Sequence, residues 1–211
     1  MTPYQPPTAD PTKLLLRSEF RTVLRELQRT ARRSPNSRFN LVLFRLAACC
    51  GLRVSEIAAL QLDDVRLAGP RPHLRIRRGA AKGGKPRTVP LWWDSGTLAD
   101  LTAWQEDRLR QAQSPIEPFL LSSRPGRPPL PLSRHTLRKR FRTACRVLGP
   151  ARLRQLTIHH GRHTFISHAL AGGRSLAEVR DAAGHANVSL TSTYLHITLD
   201  DDPPGELFAY G

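Results

Sequence analysis

Apolar residues recur along this chain with two different periods, and the changes between them mark out its elements. Phe20, Val23, Leu24 and Leu27 fall three and four apart, the spacing of one helical face, and Ser18 just before them is a suitable N-cap. Ser34-Pro35-Asn36 breaks that run. A second run, from about Ser37 to Cys50, is apolar on most sides (Leu41, Val42, Phe44, Leu46, Ala47), which predicts a helix at the centre of the core, with Gly51 just past its end. Residues 53–60 (RVSEIAAL) read as a short helix and residues 61–67 (QLDDVRL) as a turn leading out of it. The period then drops to two: His73 to Arg77 alternates as a strand does, residues 81–86 (AKGGKP) form a glycine-containing turn, and Arg87 to Leu91 is the return strand. A long helix is predicted from about Ser95 to Gln111, then a short apolar stretch at Phe119 to Leu121 and a Pro-rich loop from Arg124 to Leu132. Ser133 caps a basic helix running to about Leu148, and further helices cover His160 to Ala171, Leu176 to Ala183 and Val188 to Leu195. The pattern adds up to a mainly α fold with a small antiparallel β-sheet, an α+β class, without an internal repeat.

Charge changes the picture from fold to partner. The chain has 211 residues, enough for one sizeable core, and a formal net charge of +16. Such an excess points first to nucleic acid and second to an anionic membrane surface. No apolar run is long enough to span a bilayer and the N-terminus lacks a signal-peptide core, so the expected location is the cytoplasm, on the nucleoid. The basic helix after Ser133 offers Arg134, Arg138, Lys139 and Arg142, and the hairpin offers Lys85 and Arg87; all six are candidate DNA contacts, with a solvated face as the competing reading for the helix. Three cysteines, two of them adjacent (Cys49 and Cys50) in an apolar pattern, show no metal-ligand spacing and read as buried thiols.

Candidate chemistry gathers between Thr157 and His196, which holds six of the eight histidines. Tyr194 lies there too, whereas Tyr4 falls in a Pro-rich leader and Tyr210 one residue from the end. His159 and Arg162 stand three apart, side by side on a helix. A phenol near imidazoles and a guanidinium suits covalent attack on a phosphate: the phenol needs help losing its proton, and the phosphate oxygens need fixed cations as they gain charge. Arg53 opens a helix with Glu56 three residues on; it is either a surface pair or a phosphate clamp that Glu56 orients. Only four of the 33 basic residues are lysine, and one of them is Lys82 in the hairpin turn. Lysine can release a proton where arginine cannot, so Lys82 is a candidate general acid, with Lys85 as the competitor. His159 and His163 have the four-residue spacing of a zinc pair, but no glutamate lies between them and Arg162 would set a cation beside the metal, so no metal is expected.

Four separated pieces, GLRVSEIAAL, AKGGKPRTVPL, TIHHGRHTFISHAL and AGHANVSLTSTYLHI, occur in an order and spacing that resembles the tyrosine recombinase (phage integrase) family over roughly residues 16–197. The resemblance implies Arg53 as the first arginine, Lys82 as the hairpin lysine, His159 with Arg162 as the His-x-x-Arg pair, His185 as the last histidine and Tyr194 as the nucleophile; in the expected mechanism His159 takes up or shares the tyrosine proton and His185 hydrogen-bonds the phosphate. His163 is implied to be a structural hydrogen-bonding residue, while His160, His168 and His196 read as packing or surface residues. Three positions depart from the family pattern, Gly161, Ala183 and Leu190, and all three touch packing rather than reacting groups.

Residues 1–12, polar and rich in Pro and Thr, read as a flexible leader; the resemblance implies a catalytic domain over 13–198, and the tail over 199–211 is either a frayed end or, as the resemblance implies, a segment that docks on a neighbouring subunit. The chain looks like the catalytic part without the usual N-terminal DNA-binding domain, so a separate DNA-binding partner is a further expectation. The implied activity is site-specific strand transfer on double-stranded DNA through a 3′-phosphotyrosine, with no cofactor, in a homotetramer on synapsed DNA that is monomeric or weakly associated when free. Two other readings share the framework: an accessory DNA-binding protein, and a relaxing topoisomerase without synapsis.

Overall fold

A computed structural model describes residues 10–80, 85–122, 130–187 and 189–194. Helix α1 spans Arg17–Ala31 and buries Phe20, Val23, Leu24 and Leu27, the face that the spacing predicts. It starts slightly ahead of the expected cap: Glu19 reaches back to accept from the Leu16 backbone N–H at 3.1 Å, which leaves Ser18 inside the first turn. Helix α2 spans Pro35–Phe44, with the Ser34 hydroxyl accepting from the Ser37 N–H and Pro35 in the first turn, where its missing donor costs nothing.

Helix α2 does not run on as a regular helix. Residues Arg45–Cys49 form one π-helical turn, closed by Cys50 N–H donating to Arg45 O at 3.0 Å. Gly51 then turns the chain at φ 63°, and its bare Cα admits the Phe165 ring, whose Cδ1 would lie 2.4 Å from any Cβ. The π-turn is held by its own arginine. Arg45, 1% exposed, donates to Asp100 at 2.8 Å and to Asp94 at 3.1 Å, tying the turn to helix α4 (Ser95–Gln111) and its N-cap Asp94. A buried guanidinium is tolerated there because both carboxylates meet it.

Helix α3 (Val54–Ala59) leads to a three-stranded antiparallel meander: β1 Val65–Arg66, β2 His73–Ile76 and β3 Arg87–Pro90, in the order β1-β2-β3. The register pairs Val65 with Leu74, Leu74 with Val89 and Ile76 with Arg87. Val65, Leu74, Ile76 and Val89 face the core. Strand β1 lies where a plain turn was expected. Its partner β2 is steadied by Arg75 and Arg77, which both pair with Asp63 and Asp64. A second antiparallel pair joins β4 (Leu121–Ser122) to β5 (Leu130–Pro131).

Helix α5 covers Arg134–Ala144, ending short of the predicted Leu148, and α6 covers Gly149–Gln155, a helix that the apolar pattern does not announce. Helices α7 (Ile158–Ala171), α8 (Leu176–Ala183) and α9 (Ser189–Ser192) complete the described chain. The core sits where α1, α2, α5 and α7 meet. Phe20, Phe44 and Phe141, each 0% exposed, pack in series: Phe20 is tilted against Phe44 with ring centroids 5.4 Å apart, and Phe44 stacks on Phe141 at 6.0 Å. Burying each ring is worth about 2–3 kcal/mol, so this file is a main tie between the first helices and α5. The π-turn and α7 pack closely because residue 161 is glycine: a Cβ there would sit 3.1 Å from the Ala47 carbonyl carbon. No helix among the described residues is long and apolar enough to cross a membrane.

Candidate active site

Three arginines from three elements converge on the end of α8. Arg53 stands at the N-cap of α3, where Glu56 accepts its backbone N–H at 2.8 Å and its Nη1 at 2.9 Å. Its Nη2 donates to Gly184 O at 3.1 Å. Arg162, inside α7 and 7% exposed, donates from Nη1 to Gly51 O at 2.7 Å and from Nη2 to Ala183 O. The two glycine turns, Gly51 and Gly184, therefore supply both the chain reversals and the carbonyls that seat the arginines. The last carbonyls of a helix carry partial negative charge, which favours guanidinium groups there. Burial first, and then the neighbouring Arg53 cation, push Arg162 down to about 9, so it remains cationic at neutral pH.

His185 follows Gly184 directly, and its Nδ1 shares a 2.9 Å hydrogen bond with the hydroxyl of the buried Thr191. Burial first, and then Arg162, hold it at about 4, so the ring is neutral at pH 7. Tyr194, 9% exposed, lies just past α9. Its phenol shares a hydrogen bond with Nδ1 of His163, and the two rings stack with centroids 5.7 Å apart. Burial raises the phenol above its ordinary value, with Arg162 pulling the other way. Burial also pushes His163 down to about 4, with His160, Arg162 and His159 adding to the shift. At neutral pH the pair is therefore a protonated phenol beside a neutral imidazole. With the ring proton on Nε2, Nδ1 accepts from the phenol, which is the arrangement a general base needs.

His159 is solvent-exposed, and the structure gives the tyrosine contact to His163 instead. Partial burial and then the Arg138, Arg162 and Arg53 cations hold His159 below the ordinary imidazole value. His160 caps α7, its Nδ1 accepting the Thr157 N–H at 3.1 Å. His168 is buried against Phe20, with Nε2 on Leu15 O at 3.0 Å. Arg134, Arg138, Lys139 and Arg142 are exposed along α5, and Lys85 is exposed just ahead of β3. Arg87 differs from that expectation. It turns its guanidinium inward to Glu56, with Nη1 and Nη2 on the two carboxylate oxygens at 2.8 and 2.9 Å, and donates from Nε to Ala182 O at 2.8 Å. The carboxylate was expected to serve Arg53 alone. Lys82, His196 and the tail from residue 199 onward lie outside the described residues.

Sequence reading missed the roles of His163 and Arg87. The one available signal for His163 was its place next to Arg162 on α7; for Arg87 it was an arginine opening a strand beside a helix that carries an isolated glutamate.

The sequence model described as the phage integrase family matches residues 17–200. Among curated proteins, tyrosine recombinase XerC of Pelobacter propionicus is 33% identical over 150 residues, covering 71% of this chain and 45% of that protein. XerC of Chromobacterium violaceum is 36% identical over 152 residues, covering 72% and 46%. XerD of Halalkalibacterium halodurans is 30% identical over 167 residues, covering 79% and 52%. The chain thus spans about half the length of the curated relatives it matches. Among solved structures, XerA recombinase superposes with a TM-score of 0.69 at 20% identity, covering 94% of this chain and 62% of that one. XerH site-specific recombinase bound to a palindromic difH substrate, in a post-cleavage complex, gives a TM-score of 0.66 at 20% identity, covering 88% and 49%. At these identities the structural likeness speaks for the fold, which is that of the recombinase catalytic domain.

Proposed function

Because the chain belongs to the phage integrase family, we propose that it breaks and rejoins double-stranded DNA at a specific site through a 3′-phosphotyrosine on Tyr194. The observation that carries this reading is the meeting of Arg53 and Arg162 on adjacent carbonyls at the end of α8, beside His185 and with the Tyr194 phenol bound to His163.

Tyr194 Oη attacks a backbone phosphorus, forming an O–P bond as the bond to the 5′ oxygen breaks. The phenol proton passes to His163, whose Nδ1 already accepts its hydrogen bond in the free chain. Arg53 and Arg162 hold the non-bridging oxygens as charge builds on them. His185 donates a hydrogen bond to the phosphate, and His159, which is exposed, meets the DNA backbone. Lys82 is the group we assign to protonate the departing 5′ oxygen, on the strength of the family pattern. The ester is exchanged rather than hydrolysed, so the bond energy is conserved and a second 5′ hydroxyl reverses the step. The exposed cations of α5 contact phosphates and set register. The assembly we assign is a homotetramer on two synapsed duplexes, formed in the cytoplasm on the nucleoid.

The test is covalent capture. The chain is incubated with a pool of nicked duplexes of randomised sequence, and adducts that survive denaturation are isolated and sequenced. The expected result is an adduct lost in Tyr194→Phe while DNA binding stays. An adduct persisting in that variant would overturn the assignment, and binding without any adduct would leave an accessory DNA-binding role.

A further inference from the structure

Three successive carbonyls end helix α8, and each takes one guanidinium. Ala182 O accepts from Arg87, Ala183 O from Arg162 and Gly184 O from Arg53. Two of these arginines belong to the proposed reaction. The third, Arg87, faces no solvent-filled cleft: its side chain is only 9% exposed. It opens strand β3, and its three nitrogens are spent on Ala182 O and, in a two-pronged fork, on Glu56.

Glu56 is the hub of this arrangement. Its side chain is 0% exposed and accepts four hydrogen bonds, two from Arg87 and two from Arg53. Burial raises such a carboxyl, but the Arg87 hydrogen bonds and charge, followed by those of Arg53, outweigh it and keep Glu56 ionised. Formal charges then decide what is left for a substrate. Arg53 with Glu56 alone sums to zero, a closed ion pair with little pull on a phosphate. Adding Arg87 leaves one positive charge, so Arg53 is oriented by Glu56 without being neutralised by it.

The packing around Arg87 is built for a planar fork. Gly184 lies against its side chain: a Cβ there would come within 2.8 Å of Arg87 Cδ and 2.9 Å of Nε. Gly184 also sits at φ 66°, where side chains are disfavoured. A lysine at position 87 could offer one point charge but not three coplanar donors.

We propose that Arg87 is a positioning residue for strand cleavage: through Glu56 it sets the Arg53 guanidinium, and through Ala182 O it sets the end of α8 from which His185 projects. The role rests on the reading that the chain cleaves DNA through Tyr194. Arg87 itself touches no reacting atom.

The experiment uses the full chain and a duplex recovered from the randomised pool. Single-turnover adduct formation is followed at saturating DNA for the unaltered chain, Arg87→Gln, Arg87→Lys, Arg53→Ala and the double variant Arg53→Ala/Arg87→Gln. Half-saturating DNA concentration and melting temperature are measured alongside. Arg87→Gln is expected to slow the saturated rate about 100-fold, in the range for losing one oriented donor, while half-saturation moves less than about threefold. In the Arg53→Ala background the same change should cost less than about threefold, because its route of action is gone. Arg87→Lys should recover little of the rate while keeping the fold, and it replaces Arg87→Gln in the comparison if that variant fails to melt cooperatively. Equal fold-losses in both backgrounds, or a full rate in Arg87→Lys, would overturn the positioning role alone. An unaltered chain that forms no adduct with any duplex would overturn the cleavage reading and this role with it.

Discussion

The hydrogen bond between His163 and Tyr194 makes two separate predictions. As the proposed proton acceptor for the proposed nucleophile, His163 should matter to rate: His163→Ala is expected to slow adduct formation about 10²-fold, the usual worth of one positioned base. His159→Ala, at an exposed position, should lose more of its rate at low DNA concentration than at saturation. Single-turnover kinetics across DNA concentrations separates the two. The second concerns pH. His163 and His185 both sit at about 4 in the folded chain, with burial the first cause. Free imidazole titrates near 6.5, so between about 6.5 and 4 the unfolded chain binds protons that the folded chain does not. Their contribution to stability is complete above about 6.5 and is lost as pH falls toward 4. The melting temperature should drop across that window, and His163→Gln should flatten the drop.

At the scale of elements, Gly161 tests whether the π-turn is a rigid seat. Alanine is the better helix former by about 1 kcal/mol. Its Cβ, however, would press on the backbone of Ala47 at 3.1 Å, and that backbone lies in the π-turn fixed by the Arg45 ion pairs. Overpacking against a backbone that cannot give costs about 1–3 kcal/mol, so Gly161→Ala should destabilise by about 1 kcal/mol net in denaturant melts. An increase in stability would mean that the turn yields. Glycine at 161 is what lets the two elements approach this closely. Elements of this kind show how far the sequence carries. Long periodic runs such as Ser95–Gln111 and Leu176–Ala183 were legible to the residue, because burial of one face dictates both composition and length. Strand β1 was not, since two residues have no period, and its existence depends on pairing with β2. Helix α6 was hidden because Gly149-Pro150 reads as a stop, although proline also suits a first turn. Arg53 and Arg162 could be singled out by motif. Arg87 could not be placed, because its partner Glu56 is 31 residues away and only the folded sheet brings them together.

For the whole molecule, the net charge of +16 governs the proposed contact with DNA. Arg138 and Arg142 lie exposed on α5, and neither has an ion-pair partner among the described residues. Each contact with a phosphate releases counterions, so log affinity should fall linearly with log salt, by about 0.9 per contact. Arg138→Gln and Arg142→Gln should each weaken binding and lower that slope by about 0.9, as read by fluorescence anisotropy from 50 to about 300 mM salt. Slopes equal to that of the unaltered chain would make α5 a solvated face with no part in DNA binding. Affinity should weaken nearly uniformly across DNA sequences, because phosphate contacts carry no sequence information.

The three cysteines, set in the core for packing, give the molecule a reporter of its own opening. Cys49, Cys50 and Cys145 are all buried, and burial pushes each thiol up, Cys49 to about 12. The reactive species is the thiolate, so in the native state a maleimide at pH 7 finds neither access nor a nucleophile. Labelling then proceeds only through transient exposure. Cys49 and Cys50 sit at the junction of the π-turn and Gly51, and Cys145 at the end of α5, so their separate labelling rates clock two regions of one core. If the phenylalanine file from Phe20 to Phe141 makes that core one cooperative unit, all three thiols should react with the same rate constant, scaling together with added urea. A faster Cys145 would show α5 detaching first, leaving the arginine cluster assembled while the helix proposed to grip DNA has already let go.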